Sequence, residues 1–260
     1  MDKTKSVLKQ YENKNNLKTR MNIHEMYSTN KQGFMNWIFE KYQLEKNFKI
    51  LELGCGDSTI WKNHIDKCEI KYSLTLSDIS PGMIQSSKIN LANKKNIDYK
   101  IIDIQNIPYD DNTFDIVIAN MMLYHVPDIN LGLKEVNRVL KPNGTFYCAT
   151  FGEKNVVSYI NNVAKIKILN EMSNKFTLQN GNMILSPFFN CIQKDIYNDS
   201  LNINDLSHLI DYLKSFSEFS KLSHNELNNI VILLKEEFDK NDGILNIPKE
   251  YGIFIAKEKL

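Results

Sequence analysis

Three acidic side chains and a pair of glycines carry the candidate chemistry of this chain. Glu52, Gly54 and Gly56 lie in the stretch KILELGCGDSTIW at residues 49–61, and Asp78 and Asp103 end two later apolar runs. Two glycines one residue apart after a short apolar run let the backbone turn sharply and come close to a ligand. A dinucleotide cradle needs another glycine three residues after the second one, in a neutral or positive turn. Thr59 holds that position, and Glu52 sits just before the turn. An acid there suits a ligand with a cation at that end. Asp78 suits a pair of ribose hydroxyls, and Asp103 an exocyclic amine. The ligand so implied is an adenosine with a cationic, amino-acid-like tail. Asn120 and the pair Tyr124-His125, at and beyond the end of a fourth apolar run, complete the set. Singly, each feature has a plainer explanation, since glycines make tight turns and terminal carboxylates cap helices. Three acids at successive run ends beside the glycine turn are much more specific.

The elements that must position these residues are legible as an alternation. KILEL (49–53), YSLTLSD (72–78), IDYKIID (97–103), TFDIVIANMML (113–123) and TFYCATF (145–151) read as strands, several too apolar to be half exposed. Helical segments separate most of them. TIWKNHIDK follows the first strand, and SPGMIQSSKINLANKK opens with Ser80 as a cap and Pro81 in the first turn. NLGLKEVNRVL (130–140) is amphipathic and stops at KPNG, and Asp128 suits its cap better than a metal. The rhythm predicts an α/β fold with a parallel doubly wound sheet, whose ligands sit beyond the carboxyl ends of the strands. After residue 151 it breaks into a helix over 155–172, a strand-like segment over 188–203, two more helices and a last strand, YGIFIAKEK (251–259). The two late strands predict an antiparallel addition to one sheet edge.

Composition narrows the partners. Net charge is +1 and apolar content 42%, so no overall field draws the chain to nucleic acid or to a membrane surface. Arg20 and Arg138 are the sole arginines, which leaves few bidentate forks for phosphates or guanine edges. The four cysteines at 55, 68, 148 and 191 form no CxxC and have no histidine at metal spacing, so reduced thiols are expected. No signal-like N-terminus and no apolar run of membrane length is present, and a soluble, cytoplasmic protein is expected.

With these residues in place, residues 45–151 resemble the class I S-adenosylmethionine-dependent methyltransferases, of the bacterial small-molecule type. ELGCGDS is similar to the family's first motif, LSDIS to its strand-two acid, and IIDIQNIPYDDNTFDIVIA to its strand-three acid and fourth strand. LYHVPD and EVNRVLKPNGTF resemble the loop, helix and fifth strand that follow, while Ser58 departs from the third glycine of the first motif. The resemblance implies a Rossmann-like, mostly parallel seven-stranded sheet with an antiparallel C-terminal strand. It also implies a helical N-terminal lid over 1–45, a cofactor-binding core over 46–151, and helical acceptor-side insertions with the last two strands over 152–260.

Carried onto this sequence, Glu52, Gly54, Cys55 and Gly56 would meet the methionine part of the cofactor, with the backbone carbonyl of Asn120 helping at its ammonium. Asp78 would hold the ribose, Ile79 and Met83 would lie against the adenine, and Asp103 with the Ile104 amide would read its edge. Arg20 and Tyr27 would close over the carboxylate and sulfonium, or else pack the lid helix; His24 reads as a packing or surface residue. His125 suits a general base, or a scaffold histidine of the cofactor pocket, and Tyr124 a wall of the acceptor pocket. The sequence lacks the Asn/Asp-Pro-Pro-aromatic loop of base-amino methyltransferases, a Pro-Cys nucleophile and a metal-binding acidic cluster. The expected acceptor is therefore a small molecule methylated on O, N or C, with no metal, nucleic acid or membrane partner and with monomer and homodimer both open. Two rival classes share the layout: a catalytically idle S-adenosylmethionine binder and a nucleotide-dependent oxidoreductase.

Overall fold

The computed structural model describes residues 14–67, 72–165, 175–216, 219 and 222–258. Seven strands form one sheet: β1 (Lys49–Leu53), β2 (Ser73–Asp78), β3 (Ile97–Ile101), β4 (Phe114–Ile118), β5 (Leu140–Phe151), β6 (Phe189–Tyr197) and, last in the chain, β9 (Tyr251–Glu258). Their order is β3-β2-β1-β4-β5-β9-β6. The first five pair in parallel, whereas β9 runs antiparallel to both β5 and β6. This is the Rossmann-like sheet that the sequence led us to expect, with the late strands added at one edge. Order reverses at β1, whose neighbours are β2 and β4, so the end of β1 opens onto the switch point.

Both faces of the sheet are covered, which explains the near-continuous apolar runs. In β1, Ile50 belongs to one buried cluster with Trp61, Leu74 and Ile116, and Leu51 and Leu53 to the other with Val117 and Phe146. The covering helices include α3 (Thr59–His64), α4 (Pro81–Asn90) and α5 (Ile129–Val139). Ser80 caps α4 with Pro81 in its first turn, and Asp128 caps α5 by accepting from the Leu131 amide.

A third cluster lies apart from these two. It joins α1 (Lys14–Tyr27) and α6 (Val156–Ala164) to α8 (Leu206–Lys214), α9 (His224–Lys240) and a two-stranded antiparallel sheet of β7 (Ser200–Ile203) and β8 (Leu245–Pro248). Two short helices, α2 (Phe34–Lys41) and α7 (Gly181–Leu185), and two 3-10 turns, Ile65–Lys67 and Leu123–His125, complete the described elements. The N-terminal helix thus packs with the late insertions.

The segment 188–203 is two strands, not one, and the reason is Asp199. Its carboxylate accepts from Lys249 Nζ at 2.7 Å, the Asn30 amide at 2.9 Å and the Ser200 amide at 2.9 Å, and it also takes the Ser28 hydroxyl. A carboxylate so fully engaged turns the chain out of the main sheet, and β7 then pairs with β8. The fifth strand also starts earlier than expected, at Leu140, with Asn143 absorbing the bend at φ 67°. Of the helix expected over 155–172, α6 covers 156–164; residues 166–174 lie outside the described residues. Cys68 also lies outside them. Among the described residues no helix is long and apolar enough to cross a membrane.

Candidate functional site

The turn after β1 is held in a conformation that explains its composition. Gly54, Gly56 and Ser58 have φ of 69°, 56° and 59°, the left-handed region that costs a residue with a Cβ about 1 kcal/mol or more. A Cβ on Gly54 would lie 2.9 Å from Met122 Cγ, so that glycine is required by packing as well. One on Gly56 would meet nothing within 4 Å, the mark of a backbone that faces open space. Ser58, in place of the family's third glycine, is fully buried, and its hydroxyl bonds Ser87 Oγ of α4 at 2.6 Å. The hydrogen bond offsets the strain, so the turn keeps its form without the glycine.

That open space is a cavity of about 270 Å³. Among its walls stand Glu52, Gly54, Cys55, Gly56, Asp78, Ile79, Met83, Asp103, Ile104, Asn120 and His125, eleven residues that the sequence singled out. Asp78 is held in place by two backbone donors, Gly56 N–H at 3.0 Å and Ser80 N–H at 2.8 Å. Burial raises its carboxyl against the pull of those bonds. Asp103 accepts from the Gln105 amide at 2.9 Å. Ile104 is buried beneath Gly132 of α5, where a Cβ would approach it to 3.4 Å.

Glu52 is 3% exposed, and burial pushes its carboxyl up to about 7, with Asp78 adding to the rise. The Trp61 indole N–H donates to it and Asn120 also bonds it, both working in the opposite direction. Asn120 Nδ2 donates to Tyr42 Oη at 2.5 Å, while Asn120 Oδ1 is buried without a hydrogen-bond partner. An acidic group and an orphaned acceptor thus meet at the glycine turn, a pair that asks for a donor cation. Cys55 is buried and its thiol is raised well above the usual range, so it acts here as a small apolar wall.

His125 ends a single 3-10 turn over Leu123–His125 after β4. Burial, then the charges of Arg20 and Lys175, depress its imidazole to about 4, leaving it neutral at pH 7. Tyr124 is not a wall of the cavity. Its ring packs 4.5 Å from that of His125 and 4.6 Å from that of Phe151, so it supports the histidine from behind.

Tyr27 also lies elsewhere. Its hydroxyl meets His208 Nδ1 at 2.6 Å, because the phase of α1 turns it toward α8. Met21, on the same helix, reaches the cavity in its place. Arg20 is outside the lining too, with its guanidinium 5.1 Å from the Phe216 ring centroid. His24 packs against the rings of Tyr212 and Tyr251.

Sequence reading missed Trp61 and Tyr42, which hold Glu52 and Asn120, and the methionines Met21, Met35, Met121 and Met122 in the walls. Single methionines in helical or apolar runs give no signal of facing a cavity. Met121, at φ 53°, is also strained in the loop after β4.

Comparison with known proteins agrees with this geometry. Residues 51–148 match the family model described as a methyltransferase domain. A ubiquinone/menaquinone biosynthesis C-methyltransferase UbiE of Rickettsia akari is 31% identical over 157 residues, covering 48% of this chain and 63% of that protein. A demethylmenaquinone methyltransferase of Staphylococcus epidermidis is 33% identical over 111 residues, covering 43% of this chain and 46% of that protein. The chain thus spans less than two thirds of the length of these relatives. Among solved structures, the YcgJ protein from Bacillus subtilis superposes with a TM-score of 0.60 at 14% identity, covering 87% of this chain and 98% of that one. Residues 51–148 of this chain form a methyltransferase domain of the class I, S-adenosylmethionine-dependent family.

Proposed function

We propose that this protein moves the methyl group of S-adenosylmethionine to a nucleophilic atom of a small apolar acceptor, with the ring carbon of a reduced quinone as the favoured target. One observation carries the first part. A single cavity beyond β1 gathers Glu52, Asp78, Asp103 and the orphaned Asn120 Oδ1 among apolar walls, which suits an adenosine with a cationic tail. The quinone part is supported by the two relatives named for quinone biosynthesis and by the five methionines in the walls, soft side chains that adapt to apolar ligands.

In this reading Glu52 and Asn120 take the ammonium group, and the Gly54-Cys55-Gly56 turn gives the tail its room. Asp78 takes the ribose hydroxyls, Ile79 and Met83 flank the adenine, and Asp103 with the Ile104 amide reads its edge. The cofactor supplies an activated methyl on a cationic sulfur. The chain's own task is to hold the acceptor in line with that methyl and keep water out, which can supply most of the acceleration. His125, neutral at pH 7 and part of the cavity wall, is suited to take a proton from an acceptor hydroxyl.

The test is calorimetric titration with S-adenosylhomocysteine, then turnover of S-adenosylmethionine with demethylmenaquinol under reducing conditions. Micromolar binding and a methylated quinol are expected. Binding without methylation of that acceptor would overturn the quinone part, and absence of binding would overturn the whole.

A further inference from the structure

Resting on the methyl-transfer reading above, we propose that Arg20 and Lys175 form an oxyanion subsite for the methyl acceptor beside His125, so that the acceptor is held by an ionised oxygen. The subsite begins with two donors that have nothing to bond. Arg20 Nε and Nη2 are both buried and both lack a hydrogen-bond partner. These atoms share one edge of the guanidinium, the fork that grips two oxygens or two lone pairs at once. The Phe216 ring lies 5.1 Å from Arg20 Cζ, and stacking of this kind fixes the plane while leaving the edge available. Buried unpaired donors are costly, and a pair of them on one edge is the arrangement that an incoming oxyanion satisfies.

A second cation stands on the same side. Lys175 Nζ donates to the Val126 carbonyl at 3.3 Å, next to His125, and Val126 and His125 both line the cavity. Arg20 and Lys175 both act electrostatically on His125, and Arg20 also on Tyr212 of α8. The charged neighbour acting on Glu52, by contrast, is Asp78. Lys175 thus stands on the histidine side of the cavity, and the charge of Arg20, set just behind the cavity wall that Met21 forms, acts on the same histidine. Among the described residues, none of the ion pairs engages Arg20 or Lys175. Phenolate and carboxylate share the chemistry that this fork recognises.

The experiment uses the full chain saturated with S-adenosylhomocysteine, titrated anaerobically with three probes: 1,4-naphthalenediol, 1,4-dihydroxy-2-naphthoate and 1,4-dimethoxynaphthalene. Arg20→Met should weaken the ionisable probes by about tenfold or more, the scale of a charge-assisted hydrogen bond, and leave the dimethoxy probe within about twofold. Loss confined to the naphthoate assigns a carboxylate, and loss on both ionisable probes assigns a phenolate. Arg20→Lys keeps the charge without the fork and should recover part of the loss; Lys175→Met should repeat it in weaker form. Equal weakening of all three probes would overturn the subsite in favour of plain packing. So would weakened S-adenosylhomocysteine with unchanged 5′-methylthioadenosine, which lacks the carboxylate, because Arg20 would then serve the cofactor. A wild-type complex that binds none of the probes also overturns it. Failure of the wild-type chain to bind S-adenosylhomocysteine instead overturns the methyl-transfer reading on which the subsite rests.

Discussion

Cofactor binding should be linked to a proton through Glu52. Burial pushes this carboxyl up to about 7, with Asp78 raising it further and the Trp61 and Asn120 hydrogen bonds working in the other direction. A cationic ammonium beside it favours the ionised form, so at low pH binding must expel a proton. With the carboxyl at about 7 before binding and held ionised by the ammonium afterwards, the fraction ready to bind is about nine-tenths at pH 8 and about one-tenth at pH 6. Affinity for S-adenosylhomocysteine should therefore fall by about tenfold, or about 1.4 kcal/mol, between those values. Calorimetry at pH 6 in two buffers of different ionisation enthalpy should show release of close to one proton, and release should vanish near pH 8. Glu52→Gln should bind more weakly at pH 8 and lose the slope. An affinity flat from pH 6 to 8 in the wild type, or the same slope in Glu52→Gln, would refute the placement of the ammonium at Glu52.

Further expectations follow from the same geometry. Trp61→Phe removes the indole donor to Glu52, so the pH midpoint of S-adenosylhomocysteine binding should move upward, as titrations across pH will show. Gly56→Ala puts a methyl into open cavity at φ 56°; it should lower stability by about 1–2 kcal/mol and weaken the cofactor, read by denaturant melts and titration. Lys249 and Asp199 form an ion pair with side chains 4% and 0% exposed. Lys249→Met should leave a buried unpaired carboxylate and cost about 3–5 kcal/mol in urea unfolding, whereas Lys249→Met with Asp199→Leu should recover much of it.

The sheet was legible because its period is short and local. Ile50, Leu51 and Leu53 announce a strand buried on both faces within five residues, and Ser80-Pro81 marks a helix start by chemistry alone. The cavity floor was legible for the same reason, since Glu52, Asp78 and Asp103 each sit at or just past a strand end, and the topology brings strand ends together. What escaped depends on distant pairing. Nothing near Asp199 in sequence predicts that Ser28, Asn30 and Lys249 will converge on it and divide one apolar segment between two sheets. For Tyr27 the sequence left cofactor closure and helix packing both open, because only the phase of α1 decides which side chain faces the cavity; Met21 does, and Tyr27 meets His208.

The same distinction separates the cofactor half of the site from the acceptor half. The residues proposed to bind the cofactor come from the first four strand ends, within one contiguous stretch that also carries the family match. The proposed acceptor side draws on α1 and the elements beyond residue 151, which meet in a cluster of their own, and on the loop after β4, whose Leu123 and Val126 belong to a cluster on the sheet. The charge of Arg20 acts on His125 from α1, which packs on α8 and β7, and Lys175 reaches Val126 from a segment that follows the fifth strand. An acceptor preference written at Arg20 and Lys175 can change without disturbing the glycine turn, because neither residue belongs to a strand end; the end of β4, with Asn120 and then His125, is the part that serves both halves. Substitutions at Arg20 and Lys175 should accordingly alter which acceptor is held, and substitutions at Glu52 and Asp78 whether the cofactor is held at all.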